Sequence, residues 1–168
     1  MPSIKDVVAR NFKMRKSKMV ALLLPSIWHP FFSELAYYIE DELDREGFKL
    51  MLCNSGGKPE KELYYLDMLR QNKVAGIVGI TYNDIENSVS NDIPIVSIDR
   101  HINKIAINDI LAANYIERAR RQGIRVPEQP VEEMARMAIR LLYKKIEGET
   151  LDQQVYRLPV AFKQGETT

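Results

Sequence analysis

Apolar residues alternate between two rhythms along this chain. Residues 19–24, MVALLL, form an unbroken apolar run, as a strand buried on both faces of a parallel sheet requires. From Pro30 to Arg45 the apolar positions fall at Phe32, Leu35, Ile39 and Leu43, one face of a helix. Gly47 predicts the stop of that helix, because glycine favours a left-handed C-terminal cap. FKLMLCN reads as a second strand and SGGKP as a loop, with Pro59 suited to open a helix. EKELYYLDMLRQN then places Leu63, Leu66 and Leu69 on one stripe. VAGIVGI reads as a third strand, the polar residues 82–92 allow one helical turn, and IPIVSID reads as a fourth strand ending at Asp99 and Arg100. Strands alternating with helices across short loops imply an α/β fold with a parallel sheet and right-handed crossovers.

After residue 105 the pattern changes. AINDILAANYIERARRQG predicts a helix capped near Asn108 or Asp109 and ended by Gly123, with Ile110, Ala113, Ile116 and Ala119 or Arg120 along its length. IRVPEQP reads as a proline-bearing linker. VEEMARMAIRLLYKKIEG predicts a helix with Met134, Ala138, Leu141 or Leu142, and Ile146 inward; Lys144 and Lys145 suit the dipole of its last turn. YRLPVAFKQGETT reads as an edge strand and tail, since Pro159 excludes a central position. No internal repeat or low-complexity tract appears.

Composition narrows the class. The 168 residues can form one domain or two small lobes, and 45% apolar content is enough for a core. No apolar run is long enough to span a bilayer, and residues 1–18 lack a signal-peptide core, so a cytoplasmic protein with no membrane partner is expected. The single cysteine, Cys53, rules out a disulfide within the chain and reads as a buried strand residue. The net charge of +1 says little about partners, but its distribution says more. Residues 1–18 carry Lys5, Arg10, Lys13, Arg15, Lys16 and Lys18 against Asp6. Clustered bases are the footprint of phosphate contact, and equally the composition of a solvated tail.

Seven blocks, in order, carry a resemblance to a known family: MPSIKDVVAR; RKSKMVALLLPSIWHPFFSELAYYIEDELDREGFKLMLCN; PEKELYYLDMLRQNKVAGIVG; IPIVSIDR; AINDILAANYIERARRQGIRVPE; QPVEEMARMAIRLLYKKIEGE; and RLPVAFKQGETT. Together they resemble the LacI/GalR family of bacterial transcription repressors. The resemblance implies a periplasmic-binding-protein-like α/β effector domain, with a first lobe over residues 19–104 and 131–148. Residues 106–128 and 151–168 would form a partial second lobe, and residues 1–18 the remnant of a helix-turn-helix unit and its basic linker. Three places depart from the family's pattern. SIKDVVAR resembles the reader's first helix, but the turn, recognition helix and hinge helix do not appear before NFKMRKSK. Further second-lobe segments are missing at residues 105–106 and 128–130, which leaves roughly half the family's usual length. Either these segments are deleted, or the sequence joins pieces of a longer chain.

The resemblance also assigns a site. Phe31 and Phe32 would line a sugar pocket, while periodicity gives Phe32 a core role as well. His29 stands where the family often has Asn, and Trp28 lies off the helix's buried stripe. Asp99 and Arg100 would clamp vicinal hydroxyls, a good use of a guanidinium beside a carboxylate, or form a plain ion pair at a strand end. Asn108 would reach the effector from the second lobe, Asp109 serves equally as a helix cap, and Gln129 aligns with a crossover glutamine. The implied function is a sugar-responsive, dimeric repressor of operator DNA. The alternative is a sugar-binding protein without DNA function, either of transport type or a deleted, DNA-incompetent chain.

No enzyme is expected. SGGK at residues 55–58 lacks the spacing and the Lys-Ser/Thr pair of a P-loop and reads as a flexible loop. No serine nucleophile elbow appears, two histidines with one cysteine do not support a metal site, and no cofactor is expected.

Overall fold

Strand β1 (Met19–Leu24) has almost no exposed side chain because it lies at the centre of a parallel sheet. The computed structural model describes residues 3–4, 17–81, 83, 92–98, 126–128, 130–152 and 161–163. β1 is followed by helix α1 (Pro30–Arg45), strand β2 (Lys49–Asn54), helix α2 (Pro59–Gln71), and strands β3 (Gly76–Gly79) and β4 (Ile95–Ser97). Strand β5 (Val126–Glu128), helix α3 (Val131–Ile146) and strand β6 (Ala161–Lys163) complete the described elements. The main sheet has the order β2-β1-β3-β4, all parallel, with Leu22 opposite Leu52 on one side and Val78 on the other.

Alternation along β1 divides the core into two layers, because successive side chains point to opposite faces. Val20, Leu22 and Leu24 pack with Phe32, Leu35, Ile39 and Leu43 of α1 and with Ala135, Ala138, Ile139 and Leu142 of α3. Ala21, Leu23 and Ile77 pack on the other face with Leu66 and Leu69 of α2. The α1 stripe is the one its periodicity predicts. Gly47 takes a left-handed conformation (φ 76°), and the following Phe48 N–H donates to Leu43 O at 2.9 Å, closing the end of α1.

Two expectations need correction. The buried stripe of α2 is Glu62, Leu66 and Leu69, whereas Leu63 is 43% exposed. Residues 62, 66 and 69 share a face, and Glu62 finds hydroxyl partners there that make its burial tolerable. In α3, Ala138 is buried as expected and Leu142 is the buried one of the two alternatives, together with Val131, Ala135 and Ile139. The proline-bearing linker contains β5, which pairs antiparallel with β6. In a two-stranded ribbon each strand has an unpaired side, so the missing N–H of Pro127 is tolerated. The predicted helix over residues 106–123 lies outside the described residues. Among the described residues, no helix is long and apolar enough to cross a membrane.

Candidate functional site

The sheet reverses its direction of winding between β1 and β3: β2 lies on one side of β1, and β3 and β4 on the other. In open parallel sheets, the crevice outside the carboxyl ends at such a point is where ligands are held. Two loops flank it here. One follows β1, through Pro25 to His29, and the other follows β3, from Ile80 to Asn83.

The β1–α1 loop is pinned by local hydrogen bonds. Trp28 N–H donates to Ser26 Oγ at 3.3 Å, and Ser33 Oγ donates to Ile27 O at 2.7 Å. His29 is the N-cap of α1, in extended conformation, with Pro30 as the first helical residue. Its Nδ1 accepts from Phe31 N–H at 3.2 Å, and its carbonyl accepts from Phe32 and Ser33 N–H at 3.0 and 3.1 Å. Histidine thereby does the capping work usually given to Asn, Asp, Ser or Thr. With Nδ1 accepting, the proton of a neutral ring sits on Nε2, which becomes a donor.

The aromatic residues of this loop divide by burial. Trp28 is 91% exposed, Phe31 is half-buried, and Phe32 is 3% exposed within the core. Phe32 meets both neighbours edge-on, with ring centroids 5.3 Å from Phe31 and 5.6 Å from His29. The loop thus offers one exposed indole, one ring nitrogen and the side of one phenyl ring, all held by a rigid helix start.

Sequence reasoning missed the group beneath this rim. Glu62, in the first turn of α2, is fully buried, and its Oε2 accepts from Thr81 Oγ1 at 2.7 Å. Its signal in the sequence was the 62, 66, 69 spacing together with hydroxyl residues at the ends of β2 and β3. Cys53 is buried in β2, and burial pushes its thiol up to about 11, so it offers no nucleophile near neutral pH.

Lys18 lies at the other end of the sheet. It is exposed, and its carbonyl, just before β1, accepts from N–H of Lys49, the first residue of β2, at 2.9 Å. Asp99, Arg100, Asn108, Asp109 and Gln129 lie outside the described residues, as do Lys5, Arg10, Lys13, Arg15 and Lys16. Among the described residues, no group of three or more His, Cys, Asp or Glu is placed to hold a metal ion.

A four-stranded parallel sheet with helices on both faces and a switch point between β1 and β3 places the chain among the doubly wound α/β proteins. Residues 17–140 match the profile described as "Periplasmic binding proteins and sugar binding domain of LacI family". The chain belongs to that family. It is 47% identical over 94 residues to a ribose operon repressor of Bacillus subtilis, which covers 55% of this chain and 29% of that protein. It is 38% identical over 96 residues to a sucrose operon repressor of Streptococcus mutans, covering 56% of this chain and 30% of that protein. The matched region therefore spans less than a third of the length of these curated relatives. Among solved structures, the Cra transcriptional dual regulator of Pseudomonas putida in complex with fructose 1-phosphate superposes with a TM-score of 0.73 at 11% identity. That superposition covers 90% of this chain and 100% of that one. The transcription regulator CcpA of Lactococcus lactis superposes with a TM-score of 0.71 at 14% identity, covering 91% and 100%. At such identities these two likenesses speak for the fold alone.

Proposed function

We propose that this chain is the effector-binding part of a sugar-responsive, DNA-binding transcriptional repressor. The observation that carries the reading is the aromatic loop after β1, set at the switch point of a LacI-family sheet. A sugar needs an apolar surface for its ring face and fixed polar groups for its hydroxyls. Trp28 and Phe31 supply the first, with Phe32 behind them, and Nε2 of His29 supplies a donor. Asp99 and Arg100 follow β4 in sequence and would clamp vicinal hydroxyls, while Asn108 would reach over from the second lobe. The names of the relatives make D-ribose and sucrose the first probes.

The same reading sets the organisation. Residues 19–104 and 131–148 form the first lobe, and residues 106–128 with 151–168 a partial second lobe. Residues 1–18 lead toward DNA. Lys5, Arg10, Lys13, Arg15, Lys16 and Lys18 then lie on the phosphate side, away from the crevice. A homodimer is supported by the open edge of the sheet, where Leu52 of β2 is 45% exposed. The protein acts in the cytoplasm as a binding protein, without cofactor or catalytic residue.

Calorimetric titration with D-ribose and with sucrose tests the site. Saturable binding of one sugar is expected, weakened at least about tenfold by Arg100→Ala, the scale of one lost charged hydrogen bond. Heat from neither sugar, or an affinity untouched by Arg100→Ala, overturns the site. The DNA arm is read from the salt dependence of duplex binding, expected to be steep for a chain that neutralises phosphates and refuted by a flat response.

A further inference from the structure

Glu62 is a fully buried carboxylate, and among the described residues its partners are two hydroxyls from separate strand ends. Thr81 Oγ1, beyond β3, donates to Oε2 at 2.7 Å, and Ser55 Oγ, beyond β2, reaches Oε1 at 3.5 Å. β2 and β3 are not neighbours, since β1 runs between them. The carboxylate therefore bridges the loops on either side of β1 just past its last residue, Leu24. Ser55 also fastens itself to that residue, through N–H to Leu24 O at 2.8 Å and Oγ to the same oxygen at 3.1 Å.

Each hydroxyl has a second task. Ser55 Oγ accepts from Gly57 N–H at 3.2 Å, and Thr81 Oγ1 accepts from Asn83 N–H at 3.1 Å. A hydroxyl carries one hydrogen and two lone pairs, so Thr81 can hold its own loop and still donate to Glu62, whereas the single hydrogen of Ser55 is shared between Leu24 O at 3.1 Å and Glu62 Oε1 at 3.5 Å. One oxygen of the carboxyl group accepts from Thr81, and the other lies against the Ser55 hydroxyl. Its place in the first turn of α2 sets the carboxyl group beside the positive end of the helix dipole. Gly56 and Gly57 are both left-handed, at φ 63° and 69°, which gives the β2–α2 loop a turn that brings Gly57 O within 3.2 Å of Asn83 Nδ2.

We infer that Glu62 is a positioning residue for the effector crevice: it fixes the β3 loop, one wall of the switch point, to the β2–α2 loop behind β1. The inference rests on the crevice reading above. With Glu62 in place, the Thr81–Asn83 wall stands at a fixed distance from the Trp28–His29 wall before any ligand arrives, and the ordering cost of binding is already met.

Amide hydrogen exchange on Glu62→Ala, Glu62→Gln and Thr81→Val tests this without requiring a ligand. Glu62→Ala is expected to raise exchange at Gly57 and Asn83 together, about tenfold, while amides in the middle of β1 keep their protection. Glu62→Gln retains an acceptor for Thr81 and is expected to stay within about threefold of the parent. Should Glu62→Ala fail to fold, Thr81→Val decides. Faster exchange at Gly57, on the far loop, supports the bridge, and an unchanged Gly57 overturns it. A rise confined to one loop, or one spread evenly over the sheet, also overturns it. In calorimetry with D-ribose or sucrose, affinity is expected to fall about tenfold in Glu62→Ala and to return in Glu62→Gln. Unchanged affinity in Glu62→Ala refutes the positioning role. If the parent chain takes up neither sugar, the crevice reading fails, and with it the positioning role, while the exchange result still decides whether the bridge exists.

Discussion

Phe31 and Phe32 are adjacent aromatic residues at the start of α1, yet burial separates their expected roles. Phe32 is 3% exposed and packs with β1, α1 and α3. Truncating it to Ala removes a phenyl ring from a cavity whose walls are a sheet and two helices, elements that cannot collapse inward. Such a change costs about 3–5 kcal/mol, which includes the two edge-on ring contacts at about 0.5–1.5 kcal/mol each. Against a domain stability of about 5–15 kcal/mol this is a large fraction. With a urea slope of roughly 2 kcal/mol per molar, the unfolding midpoint should fall by about 1.5–2.5 M at unchanged slope. Phe31 is half-buried, and its truncation should cost only about 1 kcal/mol while weakening sugar binding. Urea unfolding followed by far-UV circular dichroism, with calorimetry on the folded variants, reads both effects. A Phe32→Ala loss below about 1 kcal/mol, or equal losses at the two positions, would refute the division into core and rim.

Three further outcomes are expected. A Cβ at Gly76 would lie 2.7 Å from Leu142 Cδ1, so Gly76→Ala should cost about 1–3 kcal/mol; paired with Leu142→Ala it should cost less than the sum of the two, and strict additivity in urea melts would refute the contact. His29→Ala should lose about 1 kcal/mol with the α1 cap, whereas His29→Asn should keep most of it, and equal melts for the two variants would remove the capping role. Burial pushes the Cys53 thiol up from 9.0 to about 11 and the Tyr143 hydroxyl up from 10.0 to about 12. Both groups ionise first in the unfolded chain, so the stability they contribute is complete below the lower value of each pair and is lost as pH rises through the upper one. Urea midpoints should fall across that alkaline range, and Cys53→Ala should flatten the earlier part of the fall; an unchanged profile would contradict the burial of the thiol.

Most of the sheet and its helices could be read from periodicity, because burial against a flat layer imposes a spacing that few other arrangements impose. The runs MVALLL and KLMLCN became β1 and β2, and the Phe32–Leu35–Ile39–Leu43 stripe became the buried face of α1. The failures share a cause. Counting apolar residues on α2 selects Leu63, but the inward position belongs to Glu62, whose partners Ser55 and Thr81 are contributed by other elements. Nothing local to the helix announces that its neighbour at the strand ends is polar. β5 was hidden in the same way: a three-residue strand containing Pro127 has no period to detect, and its pairing with β6 depends on a distant segment. Of the site, the stretch from Trp28 to Phe32 was legible because it is continuous and aromatic. The capping use of His29 depends on backbone angles that residue identity does not determine.

The polarity of a parallel sheet gives the two ends of this molecule different work. All four strands of the main sheet run the same way, so every carboxyl end opens on one side and every amino end on the other. The aromatic loop and the Glu62 bridge stand on the carboxyl side. Ser17 and Lys18, where the basic residues enter the fold, stand on the amino side, and Ser17 N–H is fastened to Lys73 O at 3.0 Å. Lys73, just past the Asn72 cap of α2, is left-handed (φ 51°), and Glu62 lies in the first turn of the same helix. One helix therefore touches the wall of the proposed crevice at its first turn and leads, through the residues just after its C-cap, to the entry of the basic segment. A ligand that bears differently on the Thr81 loop in two states has, through α2, a packed element leading to the segment proposed to approach DNA. A change at Ser17 that alters sugar affinity, measured with Glu62 intact and again with Glu62→Ala, would show whether α2 carries energy between the two ends. Additive effects would mean that it does not.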